Sequence, residues 1–199
     1  MRLTSTLATG VALATLLLGG CSTSNPGTAD STTTAPARAT SSVAAVANPL
    51  DVAKIQKDPC GALSAAQLAP FMGEIRNATP DLTNGDFTCN WDPSDVNKLS
   101  VSVNVYPTIG GPAGVYSAKT GYNYFEKIDS ISGYPAVHAA TGTNAPRNGL
   151  CRTIVAVSDK AAFDVFAQNS TSSDPHYATM CTVTDQLVQQ VITNLTTQH

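Results

Sequence analysis

The chain has 199 residues, of which 42% are hydrophobic and only 13% charged, so it is neither a highly charged disordered protein nor long enough for two large domains. Its 11 Lys+Arg against 14 Asp+Glu leave a formal net charge of -3. No basic excess exists to neutralise phosphates, which argues against a nucleic-acid partner.

Residues 1–20 read as a signal peptide. Arg2 is a short positive segment, and Leu7 to Leu18 form an apolar stretch too short to span a bilayer stably. Gly19 and Gly20 supply small residues before Cys21. The run Leu18-Gly19-Gly20-Cys21 resembles the lipobox of bacterial lipoproteins. That resemblance implies a diacylglyceryl group on the Cys21 thiol, cleavage just before it, and a further acyl chain such as palmitate on its amine. Several acyl chains hold a membrane durably, where one alone is marginal. No later stretch is apolar for long enough to cross a bilayer. The expected location is therefore the extracytoplasmic face of the cell membrane, by lipid anchor.

Eleven of the 27 residues from 22 to 48 are Ser or Thr, with no aromatic among them. Such a segment cannot bury enough apolar surface to offset its ordering entropy, so residues 21–48 read as a lipidated Cys and a disordered tether. As a flexible coil it would reach about 30 Å. A single globular envelope domain is expected over 49–199, a size that buries about two-thirds of the unfolded surface.

Within the domain, Ser64-Ala65-Ala66-Gln67 has capping-box form and opens a helix with Leu63, Leu68, Phe71 and Met72 near one face, stopping at Gly73. Residues 74–86 read as loop because of Pro80, Asn84 and Gly85. Phe87 to Trp91 is a short strand. Leu99, Val101, Val103 and Val105 alternate with Ser100, Ser102, Asn104 and Tyr106, the pattern of a strand wet on one face. Gly110-Gly111-Pro112 terminates it, and residues 113–119 suit a short helix. Strands follow at 122–128 and 134–140, then a hairpin at 151–157 and 162–168. Met180, Thr184, Leu187, Val188, Val191, Ile192 and Leu195 recur at helical spacing within a closing helix over about 176–196. The fold class expected is α+β: an antiparallel sheet of about five strands backed by an N-terminal and a C-terminal helix.

With Cys21 lipidated, Cys60, Cys89, Cys151 and Cys181 remain, and an even count in an exported chain reads as two disulfides. Zinc is disfavoured because no two Cys lie within two to four residues of each other. Three pairings are open. Cys60–Cys89 with Cys151–Cys181 is preferred, because each bond ties a helix to a nearby strand; Cys60–Cys181 with Cys89–Cys151 is the crossed alternative.

Several of these motifs occur together in one family. Asp58-Pro59-Cys60 before a Leu-Ser-x-x-Gln-Leu helix, Cys89-Asn90-Trp91, Gly133-Tyr134-Pro135-Ala136, Cys151 opening a strand and a late Cys on the last helix resemble the domain-of-unknown-function 3558 family of actinobacterial lipoproteins. The resemblance covers roughly residues 50–196. It implies envelope localisation and a shared fold, and it brings no mechanism.

Catalytic signals are sparse. The histidines are His138, His176 and His199, and no Gly-x-Ser-x-Gly elbow marks a nucleophile. Only Glu74 and Glu126 could form a Glu pair for glycoside cleavage. No catalytic residue, metal ligand or cofactor site is assigned. Tyr116, Tyr122 and Tyr124 are the candidate contact surface, with core packing as the rival explanation. The function expected is a non-catalytic binding or accessory domain for an unknown envelope protein or small ligand; the alternative is an envelope hydrolase with an unrecognised active site.

Overall fold

Short hydrophobic runs separated by turn residues dictate a meandering sheet, and the computed structural model, which describes residues 45–85, 87–142 and 146–197, shows one of seven strands. The expected signal peptide, the expected lipidation at Cys21, the expected tether up to residue 44 and His199 lie outside the described residues. In chain order the elements are α1 (Ala53–Lys57), a 3-10 turn (Pro59–Ala62), α2 (Ala65–Met72), β1 (Ile75–Asp81), β2 (Thr88–Pro93), β3 (Ser100–Tyr106), α3 (Gly111–Ser117), β4 (Tyr124–Ile131), β5 (Tyr134–Ala140), β6 (Leu150–Ala156), β7 (Ala162–Gln168) and α4 (Met180–Thr197).

The strands run in the order β1-β2-β3-β7-β6-β5-β4, and every neighbouring pair is antiparallel. Two meanders, β1 to β3 and β4 to β7, therefore join along the β3–β7 ladder. The α+β class holds, but the sheet has seven strands where about five were expected. The strand absent from the sequence reading is β1. It is an edge strand with six of its seven residues exposed, and it carries Pro80. No buried alternation could mark it, and Pro is tolerated only because an edge N–H needs no partner.

One sheet face carries the main core. Leu68 and Met72 of α2, with Met180, Leu187, Val188 and Val191 of α4, bury against Val101, Val103, Phe163 and Val165. The α2 cap forms as its sequence requires: Gln67 N–H donates to Ser64 Oγ (3.3 Å) and Ser64 N–H to Gln67 Oε1 (2.8 Å). The same Gln67 exchanges amide hydrogen bonds with Asn194 at 3.1 and 3.0 Å, joining the two helices. The closing helix begins at Met180, after a 3-10 turn over Tyr177–Thr179, later than the 176 its periodicity suggested.

Two disulfides seal this face. Cys60 in the 3-10 turn bonds Cys89 of β2, and Cys151 of β6 bonds Cys181 of α4, the local pairing. The chain is also fastened ahead of Pro49. Val46 is 8% exposed, its N–H donates to Asp159 Oδ1 (3.1 Å), and Tyr134 OH donates to the Asn48 carbonyl (2.9 Å).

The opposite face is only half covered. The segment crossing from β3 to β4 carries α3 over β5, β6 and β7, where Val115 buries against Val137, Ala139, Ile154 and Ala156. Gly110 and Gly111 make that docking possible. Gly110 N–H donates to the Lys160 carbonyl (2.9 Å), and a Cβ on Gly111, whose φ is +57°, would meet the Ser158 carbonyl at 2.5 Å. No helix of the described residues is long and apolar enough to cross a membrane.

Candidate binding face

Because α3 shields one half of its face, the polar residues of β2 and β3 and the facing residues of β7 and β6 form a surface of their own. The ladder registers align Asn90, Ser102, Phe166 and Arg152 in one row and Thr88, Asn104 and Asp164 in the next. The alternation read in residues 99–106 supplies two of these groups, Ser102 and Asn104. The others come from strands far away in sequence.

Asp164 is the centre of this surface and is 0% exposed. Its Oδ1 accepts from Asn104 Nδ2 (2.8 Å), and its Oδ2 accepts from Tyr106 OH (2.6 Å) and from Arg152 Nη1. Thr88 Oγ1 extends the chain by donating to Asn104 Oδ1 (2.7 Å). The Arg152 guanidinium lies over the Phe166 ring, 4.9 Å from its centroid. A buried carboxylate is tolerated only when paired and hydrogen-bonded, and here both conditions are met. Burial, and then the Asp164 carboxylate, push the Tyr106 hydroxyl well above its ordinary range. Burial alone would lower Arg152, but Asp164, Tyr106 and Tyr122 together more than offset it and keep the guanidinium charged. The cluster is thus a fixed, charge-balanced floor.

Two clefts flank it. One of about 630 Å³ is lined by Thr88, Asn104 and Tyr106 from the floor, with Phe87, Thr108 and Ile109 as walls. Its size falls in the range of small-ligand sites. A smaller one of about 190 Å³ lies beside Phe166, with Asn90, Ser100, Ser102 and Gln168.

The three candidate tyrosines are not brought together. Tyr116 and Tyr122 pack against the small core under α3, the first beneath Lys127 Nζ at 4.5 Å and the second beside Phe125 at 6.4 Å. Tyr124 sits in register with Ala140 on the α4 side of the sheet, where its hydroxyl donates to Glu126. Burial, then that hydrogen bond, push it up to about 12. The sheet thus separates Tyr124 from the other two.

The two described histidines, His138 and His176, have structural partners. His138 Nε2 is 2.8 Å from Asp185 Oδ1 on α4, and its Nδ1 is 4.0 Å from Glu126. Thr153 Oγ1 donates to the same Asp185 oxygen (2.9 Å), so the chain of contacts pins β5 and β6 to α4. His176 meets Phe71 edge-on at 5.7 Å. Glu74 precedes one edge strand and Glu126 lies in the other, so no Glu pair forms. Among the described residues, no three His, Cys, Asp or Glu side chains group to hold a metal ion.

Sequence reasoning missed Asp164 and Arg152. The available signal was a lone Asp inside the apolar run Ala162-Phe163-Asp164-Val165-Phe166, which requires a buried partner. Nothing local says that the partner is Arg152, because only the hairpin register places it there.

No curated protein and no solved structure matches the chain. A family model does, over residues 16–194, spanning Cys21, both disulfides and the residues of the polar face. The chain thus belongs to the family described as "Protein of unknown function (DUF3558)".

Proposed function

We propose that this chain is a lipid-anchored extracytoplasmic protein whose domain binds a ligand or envelope partner without catalysis. The lipobox Leu18-Gly19-Gly20-Cys21 supports the anchor. The observation that carries the binding role is the cleft of about 630 Å³ above a floor of side chains already committed to one another through Asp164. Such a floor is preorganised, so a ligand would not have to order it on binding. His138 supports binding over hydrolysis. One of its nitrogens contacts Asp185 and the other faces Glu126, which leaves neither aimed at a hydroxyl nucleophile.

The experiment has two arms. Acyl labelling and membrane partitioning of wild type against Cys21→Ser test the anchor; a Cys21→Ser protein that still carries acyl label would overturn it. For the domain, polysaccharide, lipid, small-molecule and protein fractions of the envelope are screened for a rise in melting temperature. Wild type should respond to one class, and a Thr108→Trp variant that fills the cleft should not. Equal responses of the two proteins, or turnover of a fraction component, would sink the binding reading.

A further inference from the structure

The smaller cleft beside Phe166 has a chemistry that the rest of the face lacks. Four polar side chains border it, Asn90, Ser100, Ser102 and Gln168, and none makes a hydrogen bond to another described residue. Ser102 is only 9% exposed and lines the cleft. Asn and Gln amides and Ser hydroxyls each offer both donors and acceptors. Phe166 adds an aromatic ring that also lines the cleft.

Charge narrows the ligand class. Arg152 is neutralised by the buried Asp164, and Asp92 at the rim faces Arg76 at 3.8 Å. No unbalanced charge remains to attract an anion or a cation. The backbone is equally unavailable. Asn90, Ser102 and Phe166 belong to strands whose neighbours on both sides are filled, so a peptide cannot add here as a further strand. A ligand suited to this site is uncharged, has one apolar face to lie on a ring, and is edged by groups that both donate and accept hydrogen bonds. A pyranose ring meets all three conditions: its axial C–H groups present a positive edge to the electron-rich face of Phe166, and its hydroxyls radiate towards the amides.

We propose that Phe166, Asn90, Ser102 and Gln168 form a subsite for a sugar ring of a neutral glycan, with Arg152 packed over one face of the Phe166 ring and the sugar stacked on the other. This rests on the binding role proposed above and assigns its ligand class.

The test uses the full-length chain in detergent micelles. Neutral tri- to hexasaccharides of glucose, mannose, galactose and arabinose are probed by saturation-transfer magnetic resonance and by melting shift, beside sugar phosphates, uronic acids and a peptide library. A neutral saccharide should bind, and Asn90→Ala and Gln168→Ala should each weaken it roughly tenfold, the loss of about one hydrogen bond. Phe166→Leu should abolish the transfer signal. Asn90 and Gln168 are exposed, so their truncation reports binding even if Phe166→Leu fails to fold. Binding confined to charged sugars and lost with Arg152→Ala, binding confined to peptides, or neutral binding indifferent to Asn90 and Gln168 would each overturn the proposal. If no saccharide binds but another envelope fraction gives a shift that Thr108→Trp removes, the glycan assignment falls and the binding role stands. If nothing binds, both fall.

Discussion

At the residue scale the decisive group is Asp164, because a fully buried carboxylate makes its three donors interdependent. Truncating Arg152 to Ala leaves that charge buried without its cation. Denaturant unfolding should show a loss of about 3–5 kcal/mol, whereas an Arg152→Met/Asp164→Leu double replacement should recover most of it. A double variant as unstable as the single one would mean that packing around Phe166, and not charge pairing, governs the site. The tyrosines add a pH dependence. Burial raises Tyr106 and Tyr122, and burial with the Glu126 contact raises Tyr124 to about 12, against an unfolded value of about 10. Above about pH 10 the unfolded chain gives up phenolic protons that the native state keeps, so the unfolded state binds fewer protons and stability falls as pH rises. Urea midpoints should be flat between about pH 7 and that pH and decline above it. Tyr122→Phe, which leaves no hydroxyl to titrate, should make the decline shallower.

At the element scale, the two disulfides act on different attachments. Cys60–Cys89 closes a loop of 29 residues and holds the 3-10 turn to β2, while Cys151–Cys181 closes one of 30 and holds α4 to β6. The loop-entropy model assigns each about 3.5 kcal/mol. α4 has further anchors in Thr153, Asp185 and the Gln67–Asn194 amide pair, so it keeps its position better than the short turn does. Replacing Cys151 and Cys181 by Ala should lower the unfolding free energy by roughly that amount while hydrogen exchange in α4 stays protected. Loss of protection along the whole helix would show that the bond, not the packing, docks it. The elements also differ in how plainly the sequence announced them. α4 and β3 carry buried stripes at helical and strand periods, and both were readable. β1 buries almost nothing and is held by pairing with β2, so its residues carry no period to read.

At the scale of the whole molecule, the half-covered sheet follows from topology. One crossover joins the two meanders, and the single helix it carries can shield only the β5–β7 side. The domain also reaches further upstream than its composition suggests. Residues 45–50 are tied to the sheet through Val46, Asn48 and the Leu50 N–H, which donates to the Val157 carbonyl at 2.8 Å. A chain starting at residue 45 should therefore melt several degrees above one starting at Pro49, in proportion to a loss of about 1–2 kcal/mol. Identical melting curves would mean that these contacts add nothing to stability. Composition could not show this, since Val43 and Val46 are the only large apolar residues in a Ser, Thr and Ala run.

The sequence by itself determined the family, the α+β class and the identities of the sulfur-bearing residues, because each is a local pattern: a motif order, a period of apolar residues, an even count of Cys. It also made the local disulfide pairing preferable, since each bond spans a short stretch of chain. Only the tertiary structure decided the candidate site. Asn90, Asn104, Arg152 and Asp164 sit on four different strands, and what unites them is a ladder register, beside a crossover that leaves the β2 and β3 end of the same face bare. Register is set by the sum of many side-chain alternations acting together, and no single stretch of this chain contains it.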